Sequence, residues 1–130
     1  MRRFIALLLA LLSILSLTGC HRVKITASEG SVQFCKGSTQ IRNDPLTPEE
    51  VASVKEVLHG KREYTAVAAP NCGFSRTISI TIGDTTYALA TDKCPAVKNM
   101  ETGKYIDITN AERNILEEIF TSRGGYFPCN

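Results

Sequence analysis

The sequence predicts an α+β domain in which a small antiparallel sheet is covered on one face by two helices and stapled by two disulfides. Segments 47–60 and 109–125 carry helix-capping signals and apolar residues at helical spacing. Other short segments alternate apolar and polar residues, which is typical of antiparallel strands with one wet face. Cysteine is frequent, with 5 in 130 residues. Runs of strands interrupted by two helices indicate the α+β class.

Composition favours one globular domain and excludes a nucleic-acid-binding protein. Hydrophobic residues make up 43% of the chain and charged residues 22%, which is ordinary for a folded protein. Arg2 and Arg3 lie in a segment that we expect to be removed, and without them 13 basic residues face 13 acidic ones. A neutral chain lacks the positive field that binds phosphate backbones, so we expect no nucleic-acid partner.

Residues 1–20 carry the pattern of an export signal. Arg2 and Arg3 precede an apolar run over residues 4–17. The run has 14 residues, fewer than the about 20 that a membrane-spanning helix needs. A positive start, a short apolar stretch and small residues at its end are typical of a cleaved signal peptide.

The last four residues of this segment, Leu17-Thr18-Gly19-Cys20, resemble the lipobox of bacterial lipoproteins. The resemblance covers residues 1–20 only. It implies a lipoprotein signal peptide over residues 1–19 and a single periplasmic α+β domain over residues 20–130. Cys20 would then be the lipidated N-terminal residue, anchored by fatty acyl chains such as palmitate. An ordinary secretory signal with a chance cysteine is the alternative.

The residue after Cys20 indicates whether the lipid anchor lies in the inner or the outer membrane. That residue is His21 rather than an aspartate. In Gram-negative lipoproteins an aspartate at this position is associated with inner-membrane retention. The resemblance therefore implies the periplasmic face of the outer membrane.

The first half of the mature chain predicts two strands and a helix. Apolar and polar residues alternate in segments 22–27 and 31–35, which predicts a strand in each. The polar, glycine-containing stretch 37–45 indicates a loop. Thr47 is the predicted N-cap of the helix, and Glu50 completes a capping box. The predicted buried stripe of this helix is Val51, Val54, Val57 and Leu58.

A β-hairpin is predicted in the middle of the chain. Segments 76–82 and 85–91 alternate apolar and polar residues and are joined by Gly83-Asp84, a favourable two-residue turn. If Ile82 pairs with Thr85, the apolar side chains of both segments share one face, which supports this register.

The remaining elements are shorter or lie at the end of the chain. Segment 63–69 predicts a strand, segment 95–104 a loop and segment 105–108 a short strand. The second helix begins at the predicted N-cap Thr109, with Glu112 completing its capping box. Its predicted buried face is Ala111, Ile115, Leu116, Ile119 and Phe120, and its predicted solvated face is Glu112, Arg113, Glu117 and Glu118.

Four cysteines remain in the mature chain, and we expect two disulfides in an oxidising periplasm. The hairpin register brings Cys72 and Cys94 to within one residue of direct opposition, which predicts the bond Cys72–Cys94. Cys35 and Cys129 are then left to pair. No C-x-x-C motif is present, so we expect neither a metal site nor a redox-active pair.

Histidine offers no catalytic device. The mature chain has His21, beside the anchor, and His59, in the last turn of the first predicted helix. A cationic His59 interacts favourably with the carbonyl end of the helix dipole, and we expect this role over catalysis. With the remaining cysteines in disulfides, no Ser-His-Asp or Cys-His arrangement is indicated.

Paired carboxylates are a further candidate for catalysis. Glu49 and Glu50 are consecutive in one predicted helix, as are Glu117 and Glu118 in the other. Consecutive helical residues point about 100° apart, so neither pair converges on one substrate. No phosphate-binding loop is present either.

Two polar features each allow two interpretations. Lys61 and Arg62 either complement a helix C-terminus, which we favour, or contact anionic headgroups. Thr77, Ser79 and Thr81 form either the wet face of a strand, which we favour, or a hydroxyl-bearing binding row.

These features predict a non-enzymatic protein-binding module anchored in the outer membrane through Cys20, without cofactor or metal. Inhibitor, immunity and exclusion lipoproteins share this general layout. Tyr126 and Phe127 either pack on the sheet or face the partner. A structural accessory subunit of a cell-envelope complex and a small carboxylate-dependent hydrolase are the alternatives.

Overall fold

The computed structural model describes residues 21–37, 39–66 and 72–126. The elements formed by these residues are, in chain order, β1 (Gly30–Lys36), β2 (Gln40–Pro45), α1 (Pro48–Leu58), β3 (Glu63–Tyr64), β4 (Ser79–Ile82), β5 (Thr85–Leu89), β6 (Ala96–Asn99), β7 (Tyr105–Asp107), α2 (Asn110–Thr121) and β8 (Gly125–Tyr126). Neither of these helices has the length and apolar composition that crossing a membrane requires.

The strands form one antiparallel sheet that is much larger than predicted. Seven of them follow the order β2-β1-β4-β5-β6-β7-β3, and β8 pairs with the end of β1 that β4 leaves free. The predicted fold class, a small sheet stapled by two disulfides, is therefore wrong. The sheet is the main body of the domain, and one disulfide, Cys72–Cys94, lies wholly within the described residues.

Two strands lie where the sequence predicts loops. β2 pairs with β1 along its whole length, yet its side chains are mostly exposed because it is an edge strand. An edge strand with two wet faces has no need of apolar alternation. β6 has four residues, too few for an alternating pattern to be visible. Both strands form because a neighbouring strand offers a ladder partner, which local sequence does not reveal.

Three predicted strands are much shorter than the segments that predicted them. Segment 22–27 contributes a single bridge, with Arg62. Segment 63–69 contributes β3, while its residues 67–69 lie outside the described part of the chain. Segment 76–82 becomes a strand only in its second half, as β4. Alternation in the sequence therefore extends beyond the residues that find a ladder partner.

The first predicted helix is confirmed as α1, together with its cap. Thr47 Oγ1 accepts the backbone N–H of Glu50 at 3.2 Å, and the Glu50 carboxylate accepts the backbone N–H of Thr47 at 2.9 Å. These reciprocal bonds satisfy two donors that a helix start otherwise leaves free. The predicted stripe is buried as a whole: Val51, Val54, Val57 and Leu58.

The second helix, α2, has its predicted capping box, but its buried face differs from the prediction. Arg113, predicted on the solvated face, is 3% exposed, whereas Ile115, predicted in the core, is 39% exposed. The helix is turned so that Arg113 Nη1 donates to the carbonyl of Cys94 at 3.0 Å. A long side chain with a polar tip can be buried in this way when the tip finds an acceptor. The residues buried as predicted are Leu116, Ile119 and Phe120.

Cross-strand register sorts the side chains of the sheet into two faces. On the inner face, Val32, Ile80 and Tyr87 form a row and belong to the same core cluster as the buried residues of both helices. On the outer face, a second row crosses six strands: Gln33, Ser79, Ala88, Lys98, Tyr105 and Tyr64. The outer face is thus the side of the sheet opposite the helices.

The predicted hairpin register is confirmed. Ile82 lies opposite Thr85 in the β4–β5 ladder. Gly83, in the turn between them, has φ +59°, a value that glycine adopts without strain. The register that the apolar pattern predicts is therefore the register that forms.

One of the two predicted disulfides is described. Cys72 and Cys94 are bonded, with their Cα atoms 6.1 Å apart. Cys35 is fully buried and is itself disulfide-bonded. Its predicted partner, Cys129, lies outside the described residues.

Candidate binding face

Residues 72–77, which we call the strap, cross the outer face of the sheet. The carbonyl of Gly73 accepts the backbone N–H of Thr91 at 2.9 Å. A Cβ on Gly73 would lie 2.6 Å from Thr91 Oγ1, so any larger residue here would force the Thr91 side chain or the strap to shift. On the same face, Ser79 and Ala88 are buried. The strap therefore covers part of a face that the helices leave open.

The Cys72–Cys94 disulfide fastens the start of the strap to the loop after β5. Asp92 supports the same junction, because its carboxylate accepts the backbone N–H of Gly73 at 3.3 Å and that of Cys94 at 3.5 Å. Ligand atoms of Cys72, Asp92 and Cys94 lie within 4.8 Å of one another, as a metal site would require. The two sulfurs are bonded to each other and are not thiolates, so this cluster is a structural fastening.

Three aromatic side chains, one of them from the strap, meet on the outer face, and we call them the aromatic cluster: Tyr64, Phe74 and Tyr105. The ring centre of Tyr105 lies 6.1 Å from that of Tyr64 and 5.7 Å from that of Phe74. Rings at these separations and tilted to one another attract each other. Lys98 Nζ lies 5.5 Å from the ring centre of Tyr105, within range of the attraction between a cation and a ring. All three rings are half-buried.

A hydrogen bond fixes the outermost ring of the cluster. The Tyr64 hydroxyl donates to Asp107 Oδ1 at 2.7 Å. This bond, together with partial burial and the negative charge of the carboxylate, raises the pKa of Tyr64 to about 12. The hydroxyl is therefore protonated at neutral pH and serves as a donor that holds the ring in place.

The favoured interpretation of Thr77, Ser79 and Thr81 as the wet face of a strand is wrong at Ser79, which is buried, and the alternative of a hydroxyl-bearing binding row gains no support. Ser79 is 1% exposed, and its hydroxyl donates to the carbonyl of Arg76 at 2.6 Å. Thr81 and Thr86 share a hydrogen bond of 2.9 Å across the hairpin. The Thr77 hydroxyl lies 2.8 Å from that of Ser75 within the strap. These groups are bonded to their neighbours rather than presented to a ligand.

His59 has a different role from the one predicted. It is the C-cap residue beyond the end of α1, and its Nδ1 accepts the backbone N–H of Ile25 at 3.0 Å. A ring nitrogen that accepts a hydrogen bond carries no proton, so this contact replaces the predicted cationic interaction with the helix dipole. His21 is exposed, and its carbonyl accepts the backbone N–H of Glu63 at 2.9 Å. Among the described residues, neither imidazole forms a hydrogen bond with a serine, threonine or cysteine side chain.

The carboxylates at the start of α1 are not placed for acid–base chemistry. Glu50 is tied into the capping box, and the Arg123 guanidinium donates to both of its carboxylate oxygens at 2.6 Å. These hydrogen bonds, above all those from Arg123, lower the pKa of Glu50. A general acid working at neutral pH needs a raised pKa instead. Glu49, the other member of the predicted pair, is exposed.

The carboxylates of α2 line a polar cavity of about 380 Å³, whose lining holds two acidic and two basic side chains. Glu117 and Glu118 share this cavity with Lys93 and Arg113. Arg113 Nε lies 3.6 Å from Glu117 Oε2 and forms no hydrogen bond, and burial lowers the pKa of Arg113. Because its Nη1 holds the carbonyl of Cys94, Arg113 secures the loop that carries the disulfide.

The two basic residues after α1 separate in the structure. Lys61 does not complement a helix end, because its Nζ pairs with Glu112 Oε1 at 2.8 Å. Arg62 lies opposite Arg22 in an antiparallel bridge at the β3 edge of the sheet. Among the described residues, neither arginine has an ion-pair partner.

Several predicted residues lie outside the described part of the chain: Cys20, Phe127 and Cys129. Tyr126 belongs to β8, where it pairs with Cys35. Sequence reasoning missed the aromatic cluster because its members come from three separate segments, none with a binding motif. The strap and the β3–β7 pairing bring them together.

Comparison of the chain with protein-family models, with curated proteins and with solved structures gave no match. The function is therefore inferred from the geometry of this chain.

Proposed function

We propose that this protein is a non-enzymatic protein-binding module, anchored by lipid at Cys20 to the periplasmic face of the outer membrane. The aromatic cluster is the centre of its binding surface. One observation carries this proposal: three half-buried rings are held together on the sheet face opposite the helices. Aromatic side chains that are fixed at a surface are the typical anchors of protein–protein interfaces.

The cluster is preorganised, which favours binding. Tyr64 is fixed by Asp107, and Phe74 lies two residues from the disulfide-bonded Cys72. Tyr105 belongs to β7 and contacts both other rings. Side chains that are already ordered lose little conformational entropy when a partner binds.

Polar groups border the rings, as at the rim of an interface. Lys98 and Asp107 each contact one ring of the cluster, and both keep some exposure to solvent. An apolar centre with a polar rim is the ordinary anatomy of a protein–protein contact. This arrangement supports a protein partner.

The side chains that would carry catalysis are occupied by structural contacts, which supports a non-enzymatic role. Glu50 is bound by Arg123, and His59 accepts a backbone hydrogen bond. Cys72 and Cys94 are oxidised. These groups serve the fold, and the proposal assigns none of them to a reaction.

The anchor is tested by the mass of the intact purified protein. Lipidation at Cys20 gives the mass of residues 20–130 plus acyl groups, and Cys20→Ala blocks maturation. An unacylated product that retains residues 1–19 would contradict the anchor.

The binding surface is tested by capture of envelope proteins on the purified protein. Tyr64→Ala should weaken retention of a stoichiometric partner by about tenfold or more, as expected at an interface anchor. Ile115→Ala is the matched control, because Ile115 is a partly exposed apolar residue on α2, away from the outer face. Thermal unfolding of both variants verifies that they fold. Equal retention by Tyr64→Ala and the wild-type protein would refute the proposed surface.

A further inference from the structure

We propose that Arg22 and Arg62 form a contact site for anionic phospholipid headgroups, which docks the β3 edge of the domain on the membrane. This inference rests on the proposed lipid anchor at Cys20, and it adds an orientation to that anchor. It starts from an unfavourable arrangement of like charges at this edge of the sheet.

The two arginines face each other in the closest kind of cross-strand pair. Val23 N–H donates to the carbonyl of Lys61 at 2.8 Å, and Glu63 N–H donates to that of His21 at 2.9 Å. These bonds flank the Arg22–Arg62 bridge, which is therefore a non-hydrogen-bonded pair. In such a pair the Cα atoms are about 4.5 Å apart and the side chains project from the same face. Like charges in this position destabilise a sheet.

No ion pair among the described residues compensates this charge. The β3–β7 register, extended by one residue, places Asp107 opposite Arg62, but the Asp107 carboxylate accepts from the Tyr64 hydroxyl and forms no ion pair with Arg62. Arg22 Nη1 donates to the carbonyl of Gly60 at 2.9 Å, which is a neutral acceptor. Glu63 is the acidic residue closest to Arg62 in the sequence. Its side chain points to the opposite face of the sheet, because adjacent strand residues alternate between faces. Its carboxylate accepts a hydrogen bond from the Asn99 side chain at 2.9 Å. Lys24 is exposed, has no ion pair among the described residues and adds a third cation.

Position identifies the partner as a lipid surface. Arg22 is two residues from Cys20, so the chain between them spans at most about 7 Å. β3 is the last strand of the sheet order, and Arg62 immediately precedes it. With a lipid on Cys20, this edge meets the headgroup layer. Guanidinium groups bind phosphate oxygens in paired hydrogen bonds, and basic residues near a bilayer are attracted to anionic lipids.

Docking at this edge also determines where the aromatic cluster lies relative to the membrane. Tyr64 is two residues from Arg62, so both project from the outer face. The sheet would stand on its β3 edge, with the cluster directly above the headgroups. A partner that reaches this cluster must itself lie at the membrane surface.

Hydrogen exchange of the lipidated protein tests the docking. The protein is reconstituted in vesicles of phosphatidylcholine alone, or of phosphatidylcholine with phosphatidylglycerol. We expect exchange over residues 21–24 and 60–64 to slow by about fivefold or more with the anionic lipid. Added salt should reverse the effect. The double variant Arg22→Gln/Arg62→Gln should lose it.

Lys36→Gln/Arg42→Gln is the matched control, because it removes two exposed cations near the opposite edge of the sheet. This variant should keep the protection. Equal exchange of the wild-type protein in both lipids would overturn the docking, and so would protection that appears only when envelope proteins are added. Intact mass of the same sample shows separately whether Cys20 is acylated. If it is not, the anchor fails, and co-sedimentation with the anionic vesicles at low salt decides the docking on its own.

Discussion

Arg123 and Glu50 form a two-pronged ion pair that joins the end of α2 to the start of α1. Both guanidinium nitrogens Nη1 and Nη2 lie 2.6 Å from a carboxylate oxygen. Arg123 also donates to the carbonyl of Ile119 at 2.7 Å, and its Nε lies 3.6 Å from Asp44 at the β2 edge. One side chain thus joins both helices and the edge strand.

Glu50→Gln is expected to lower the free energy of unfolding by about 2 kcal/mol, because a charge-assisted hydrogen-bond pair is lost. Glutamine can still complete the capping box with Thr47, so the variant isolates the contact with Arg123. Glu49→Gln is the matched control, since Glu49 is the exposed neighbour in the same helical turn. Urea unfolding measures both, and equal effects would contradict this assignment.

The same ion pair makes the stability of the fold depend on pH in the acid range. The pKa of Glu50 is lowered in the folded state, so its contribution is complete above the ordinary value of 4.5. The contribution is lost as pH falls from 4.5 through the lower folded pKa. The difference in stability between the wild-type protein and Glu50→Gln should therefore shrink over this acid range. A constant difference would contradict the shift.

His59 is expected to matter as a hydrogen-bond acceptor. His59→Leu leaves the buried backbone N–H of Ile25 without its partner and should cost about 1–2 kcal/mol. His59→Asn keeps an acceptor at a similar distance and should cost much less. Urea unfolding compares the two. Equal losses would show that the imidazole acts by packing, and a loss of partner binding without a loss of stability would indicate a functional role.

Tyr64 is expected to ionise near pH 12, later than an ordinary tyrosine. A raised folded pKa means that this group contributes stability below the ordinary value of 10.0, and that the contribution is lost as pH rises through about 12. Asp107→Asn removes the charged acceptor and should bring ionisation closer to the ordinary value. Ultraviolet titration of the wild-type protein, Tyr64→Phe and Asp107→Asn identifies the transition. Titration that Asp107→Asn leaves unchanged would contradict the bond.

Removal of the Cys72–Cys94 disulfide should free the strap. The bond closes a segment with a sequence separation of 22, for which loop-closure entropy predicts a stabilisation of about 3 kcal/mol. The variant Cys72→Ala/Cys94→Ala should show faster hydrogen exchange over residues 73–77 of the strap. It should also show weaker partner binding, because Phe74 is released. Unchanged exchange in that segment would mean that Asp92 and Thr91 alone hold the strap.

Local patterns of the sequence predict those elements whose contacts are local. The capping box of Thr47 and Glu50 spans four residues, and the hairpin register of Ile82 and Thr85 depends on one turn. The same register predicts the Cys72–Cys94 bond. In each case the interacting groups are fixed by the secondary structure that the pattern itself indicates.

Features that depend on distant pairing could not be predicted in the same way. β2 is polar because it lies at the sheet edge, and only its pairing with β1 makes it a strand. Arg113 is buried because the carbonyl of Cys94 lies within reach of its guanidinium. The ring contacts of Tyr105 join three segments that no spacing rule connects. Each of these features depends on contacts between residues that are distant in the sequence.

Site-specific photo-cross-linking tests the central claim, that the aromatic cluster is the binding surface, most directly. A photoreactive phenylalanine analogue replaces Phe74 in the strap or, as a control, Ile115 on α2, and the lipidated protein is irradiated in its native envelope. We expect one discrete adduct with an envelope protein from position 74 and none from position 115. Adducts from position 115 alone, or equal adducts from both positions, would contradict it.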